Sequence, residues 1–198
     1  LGLSLVTPPT GDPISLEEAK AHLRITDSNE DGLIASYILA ARQHVENDTH
    51  KRMLTQTMDY TIDYGWPYCD CEPCIEFPIG PVQSVTSITY VDTDGATQTL
   101  PTSQYVSANL GVNVESGYPY IEPAYGVTWP TVRNQAAAIT VRFVAGWTLS
   151  TIPNPLMQAM RMLIGHVNEN REAVASGSFV DVPLGLEFFL SGYRDRRC

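Results

Sequence analysis

The chain has 198 residues, a formal net charge of −10 and a pI near 4.7, with 43% hydrophobic and 17% charged residues. A domain of this size hides roughly 70% of its unfolded surface on folding, so it needs neither disulfides nor a metal to hold together. The acidity excludes general nucleic-acid binding, which requires a Lys/Arg patch to release counterions, and no apolar run reaches the roughly 18 residues that would cross a membrane.

Residues 1–11 read as an extended lead with Pro8 and Pro9, apolar at first but too short and too lacking in basic residues for a signal peptide. An unexported cytoplasmic product is therefore the default expectation. Ser15 and Glu18 make a capping box, each able to satisfy the other's backbone N–H, and open a helix over 16–24. Ser28 and Asp31 give a second N-terminal signature for a helix over 30–49. Leu33, Ile34, Tyr37, Ile38, Ala41 and Val45 form its apolar stripe.

From Leu54 the period changes to two. Strands are predicted over 55–63, 75–77 and 84–92, and the Asp92-Thr-Asp-Gly95 turn folds 96–100 back as a hairpin. Short strands over 105–107 and 112–115 follow, then an aromatic loop over 117–129, then a strong strand over 138–145. Helix returns after Pro153, with Asn154 as N-cap and Pro155 at the first helical position, and runs to about Val174. Ser176-Gly-Ser178 breaks it, and Pro183 opens a last helix bearing Leu186, Phe189, Leu190 and Tyr193.

The fold class is therefore α+β: a helical frame of four helices, N- and C-terminal, with an inserted antiparallel, acidic β lobe. Residues 1–52 and 153–198 make the helical core, and 53–152 the β-rich lobe. Residues 53–132 contain no Lys, Arg or His and carry nine carboxylates. The basic residues Arg194, Arg196 and Arg197 lie at the other end of the chain.

Catalytic patterns are missing. The nucleophile-elbow, dinucleotide and phosphate-loop motifs are absent, and His22, His44, His50 and His166 make no ligand pair at helical spacing. Asp92 and Asp94 are too few for a calcium loop and read as a turn. Glu169 and Glu172 flank Arg171 on a solvated helix face. Cys69, Cys71 and Cys74 lack a nearby fourth ligand for zinc, so free thiols in a surface loop are the plain reading, beside a loop disulfide or a metal. No cofactor, metal site or catalytic residue is assigned.

Several segments, taken in order, resemble the head–tail connector (adaptor) family of tailed bacteriophages and prophage-like particles. They are 13–24 (PISLEEAKAHLR), 30–34 (EDGLI), 40–46 (AARQHVE), 55–57 (TQT), 81–91 (PVQSVTSITYV), 125–130 (YGVTWP), 141–146 (VRFVAG), 155–160 (PLMQAM) and 169–174 (ENREAV). The cysteine loop departs from the family. The resemblance implies a non-enzymatic structural protein of the virion's head–tail interface, made in the host bacterial cytoplasm. It implies a homo-oligomeric ring of about twelve copies beneath the portal protein. That ring would bind a tail-side stopper or tail terminator, and DNA would pass through it without sequence-specific binding.

On this reading the acidic lobe would present a negative wall along which DNA slides. Tyr193, Arg194, Arg196 and Arg197 would dock on the portal, and deletion of 191–198 would abolish docking without unfolding. The alternative is a carbohydrate- or protein-binding module using the aromatic loop; a small metal enzyme at the cysteine loop is a third reading.

Overall fold

The computed structural model describes residues 1–69, 72–111, 118–170 and 184–194. In chain order these form β1 (Gly2–Thr7), α1 (Leu16–Leu23), α2 (Asp31–Thr49), β2 (Gln56–Ile62), β3 (Tyr68–Cys69), β4 (Glu72–Pro73) and β5 (Ile75–Glu76). Then come β6 (Val82–Val91), β7 (Thr97–Thr99), β8 (Tyr105–Ala108), β9 (Tyr120–Pro123), β10 (Ile139–Ala145), α3 (Asn154–Glu169) and α4 (Leu184–Leu190). The fold is α+β, with four helices and antiparallel sheets. No described helix is long and apolar enough to cross a membrane. The chain divides into a β unit, Leu1–Pro9 with Thr55–Trp147, and a helical unit, Thr10–Leu54 with Thr148–Cys198.

In the helical unit the capping box forms as its residues dictate. The Glu18 amide donates to Ser15 Oγ at 3.2 Å, and the Ser15 amide donates to Glu18 Oε2 at 2.9 Å. Arg24, in the left-handed region, ends α1. The second signature does not form: α2 starts with no side-chain cap. Asp27 instead accepts from the Asn29 amide, and Asp31 pairs with Lys20 of α1 at 2.6 Å. The α2 stripe is buried at Ile34, Ile38, Ala41 and Val45, while Leu33 is exposed. It packs on α3, whose buried residues are Leu156, Ala159, Met160, Leu163 and Ile164.

Asn154 is the first helical residue of α3 rather than its cap, because Pro153 takes the flanking position and Pro155 the first turn. The described helix ends at Glu169 with Asn170 as C-cap; the predicted continuation over 171–174 and the Ser176–Ser178 break fall outside the described residues.

The β unit is built on a five-stranded sheet of order β1-β2-β10-β6-β7 and a three-stranded sheet of order β5-β9-β8. Strand β10 is central. Phe143 lies opposite Met58 of β2 and Val85 of β6, and Val141 lies opposite Tyr60 and Ile88. Alternation puts Ile139, Val141, Phe143 and Ala145 on the core face, all fully buried. Two register shifts in β6 skip Thr86 and Gln83. Val82, Val85 and Ile88, three apart in sequence, therefore face the same way. The predicted hairpin of β6 and β7 forms: the Gly95 amide donates to Asp92 O, and Val91 pairs with Thr97.

Three features depart from expectation. The extended lead is a strand, β1, paired with β2, and it groups with the β unit. The aromatic loop contains strand β9, paired with both β5 and β8. Tyr68–Cys69 and Glu72–Pro73 pair as a small two-stranded ladder. The strand predicted over 112–115 lies outside the described residues.

The Phe143 ring meets Phe77 at 4.8 Å between centroids in the middle of this core. Phe143→Ala should cost about 3–5 kcal/mol of stability in urea unfolding, and a loss below about 1 kcal/mol would contradict the central place of β10. Ser15→Ala should cost about 1 kcal/mol, seen as a lower midpoint at unchanged slope.

Candidate functional site

Tyr193 and Arg194 lie just past α4; Arg196 and Arg197 fall outside the described residues. The Arg194 guanidinium is engaged within its own unit. Its Nε donates to Asp48 Oδ2 at 2.8 Å and its Nη2 to Asp48 Oδ1 at 2.9 Å. The same Nη2 donates to Glu187 Oε1 at 2.9 Å, and Nη1 bonds the other Glu187 oxygen. Hydrogen bonding from Arg194 holds the Glu187 carboxyl below the usual carboxylate range, against the nearby Asp48 charge. The two carboxylates in turn push the guanidinium further toward its charged form. Arg194 therefore clamps α4 to α2. Glu187 and Arg194 are two helical turns apart and could be paired from spacing; Asp48, 146 residues away, left no local signal.

The carboxylates of the acidic segment divide by role. Asp59 makes a two-toothed pair with Arg142, its register partner on β10, both bonds at 2.8 Å. Asp63 accepts from the Ala137 amide at 2.7 Å, which holds Ala137 in the left-handed conformation that starts β10. Asp92 accepts from the Asp94 and Ala96 amides and from Gln98 Nε2, so the Asp-x-Asp-Gly segment is a turn whose polar groups are satisfied from within. Hydrogen bonds hold both Asp63 and Asp92 below the usual carboxylate range. Glu76 and Asp94 are exposed. Glu76 and Glu122 lie on the outer face of the three-stranded sheet, since Ile75 and Ile121 face inward as register partners.

The aromatic loop is mostly spent on packing. Trp129 stacks on Trp66 at 4.4 Å and 9° between planes, and Trp66 Nε1 donates to Pro130 O at 2.8 Å. Tyr125 stands fully exposed, at the turn closed by the Val127 amide. No sugar-sized platform of parallel exposed rings occurs among the described residues. Cys74 is buried and disulfide-bonded, which replaces the free-thiol reading for that residue. No cluster of three potential metal ligands occurs among the described residues. His50 ends α2 in the left-handed region, and His166 sits in the last turn of α3 beside Asn170.

The family model of the phage gp6-like head-tail connector protein matches residues 13–112, just over half of the chain. No curated protein matches it. Among solved structures, the chain is similar to one in the neck of an empty GTA particle computed with C6 symmetry. The two are 25% identical with a TM-score of 0.79, over 100% of this chain and 97% of that one. Chains in the virion of the native gene transfer agent (GTA) particle and in the neck of the native GTA particle computed with C12 symmetry share the fold. Each is 24% identical over the same shares, with TM-scores of 0.78 and 0.77. An insertion on a helical frame, no assembled catalytic group among the described residues and a family match running from α1 through β8 converge: the chain belongs to the phage gp6-like head-tail connector family, structural proteins of the head–tail junction.

Proposed function

We propose that the chain is one subunit of a ring of about twelve copies. The ring sits beneath the portal protein, passes the attachment on to a tail-side stopper or tail terminator, and surrounds the DNA as it leaves. The observation that carries this reading is the family membership, joined to a likeness over the full chain to a neck subunit. The helical unit, Thr10–Leu54 with Thr148–Cys198, is the connector core, and the β unit, Leu1–Pro9 with Thr55–Trp147, is the lobe it carries. No catalysis is required: the work is attachment and passage.

The outer face of the three-stranded sheet, with Glu76 and Glu122, is the part of the β unit we assign to the DNA path. Repeated around a ring, it makes a wall that repels phosphate and lets the duplex slide. The portal-docking element is the C-terminal stretch of Tyr193, Arg194, Arg196 and Arg197. Arg194 holds α4 in place, so it acts by presenting that stretch, and deletion of 191–198 would remove the clamp together with the docking residues.

Negative-stain electron microscopy with light-scattering mass, on the chain alone and with the portal encoded beside it, should give a ring. A strict monomer that ignores the portal would sink the reading. Changing Arg196 and Arg197 together to Ala should weaken portal binding at unchanged melting temperature, whereas Arg194→Ala should lower both; normal portal capture by the double variant would remove those residues from the interface.

The clamp also sets a pH dependence. The Glu187 carboxyl in the folded state lies below its ordinary value of 4.5, so its contribution is complete above that pH and is lost as pH falls through the lower folded value. Amide exchange in α4 should accelerate below about pH 4.5 ahead of α2, and simultaneous acceleration in both helices would contradict a local clamp.

A further inference from the structure

We propose that β1 is an inter-subunit strand. Its open edge pairs with the open edge of β7 in a second copy of this chain, so the five-stranded sheet continues from copy to copy. The inference rests on the ring reading and names the surface that builds the ring.

The two edges of this sheet are unlike each other. Among the described residues, β1 pairs with β2 on one side only, and β7 pairs only with β6. Every residue of β1 and of β7 is exposed, including Leu3 at 37%, Leu5 at 52% and Val6 at 42%. Monomeric proteins protect an edge of this kind with charge, inward-pointing Lys or a covering segment. Here residues 1–11 and 95–101 contain no charged side chain at all. The only interruption is the register shift between Leu5 and Thr7, followed by Pro8 and Pro9, which limits pairing to the first part of the strand.

Charge selects the occupant. Residues 53–147 of the β unit carry nine carboxylates against Arg133 and Arg142 alone. A basic partner would be drawn to the acidic faces and would gain nothing at the neutral edges. The acidic faces of a second copy's β unit are repelled by those faces, and its edge strands β1 and β7 carry no charged side chain to oppose pairing.

Direction and facing agree with this pairing. Every neighbouring pair in the five-stranded sheet is antiparallel, so its two edge strands run the same way and meet as a parallel pair. Leu3 and Leu5 are register partners of Tyr60 and Met58, and Gln98 is the partner of Tyr90; all lie on the core face. Joining the edges brings Leu3 and Leu5 beside Gln98 and carries the apolar layer across the junction. Pairing two different edges is a heterologous contact, the kind that forms a ring when its rotation closes; β1 pairing with itself would stop at a dimer.

The test uses the full chain under the conditions that give rings, alone or on the portal. Ser4 and the residues Thr97 and Thr99 face the other side of the sheet, so Ser4→Cys is combined with Thr97→Cys and, separately, with Thr99→Cys. The two edges of one copy are four strand spacings apart, roughly 19 Å, beyond the reach of a disulfide. Mild oxidation should give a ladder of covalent multimers in at least one double variant and not in the wild type or single variants.

Leu5→Glu should leave melting temperature and circular dichroism unchanged. It should raise the concentration needed for rings at least tenfold. Wild-type rings with no ladder in either double variant, and unaltered assembly of Leu5→Glu, would overturn the β1–β7 interface while leaving the ring standing. A wild type that forms no ring even with the portal would overturn the ring reading itself.

Discussion

The pairing of β10 with β2 on one side and β6 on the other is the constraint on which the β unit depends. β2 follows directly from the helical unit and β10 leads directly back to it, so their pairing sets the two ends of the insertion side by side. Side chains seal this point. Thr55 Oγ1 donates to Trp147 O at 3.0 Å, and Gln83 Nε2 donates to Thr55 Oγ1 at 2.8 Å and to Gly146 O at 2.7 Å. Everything between β2 and β10 can then change in length without displacing the points where the chain leaves and rejoins the helices.

That closure explains why α1 through α4 can belong to one unit although residues 50–153 separate α2 from α3 in sequence. Within the unit, ion pairs tie the helices to one another and to their flanking segments: Lys20 with Asp31, Arg42 with Asp12, and Arg194 with Asp48 and Glu187. Each is partly exposed, where an ion pair contributes little energy but fixes orientation. The burial of Ile34, Ile38, Leu156 and Met160 supplies the larger share of the stability.

The helices and the central strands were legible because each has one buried face, and burial imposes a period. Leu16–Leu23 and β10 lie within a residue or so of their predicted limits for that reason. β1 was not legible as a strand: with every residue exposed, nothing imposes alternation, and its short run of leucines reads only as extended. β9 hid among tyrosines and prolines, since Pro119 precedes it, Pro123 ends it, and its single fully buried residue, Ile121, carries no period. The three-residue spacing in β6 is ambiguous in sequence and resolves only through its bulges. For the candidate site, the basic end of the chain drew notice to Arg194, but its pairing with Asp48 was not legible, because a clamp across 146 residues depends on tertiary placement.

The same tertiary placement alters what the acidic segment means. Nine carboxylates in 80 residues suggest a uniformly negative lobe. Yet three of them are engaged locally: Asp59 in a cross-strand pair, Asp63 in holding a left-handed residue, and Asp92 in closing a turn. Among the described residues, Glu76 and Glu122 point outward from the three-stranded sheet and Asp94 is exposed in the β6–β7 turn, while the edge strands β1 and β7 themselves carry no charged side chain. A surface divided this way can repel one kind of polymer from its faces and still meet its own copies along its edges. Uniform charge would serve only the first, because the repulsion that keeps a duplex from sticking would equally keep the subunits apart.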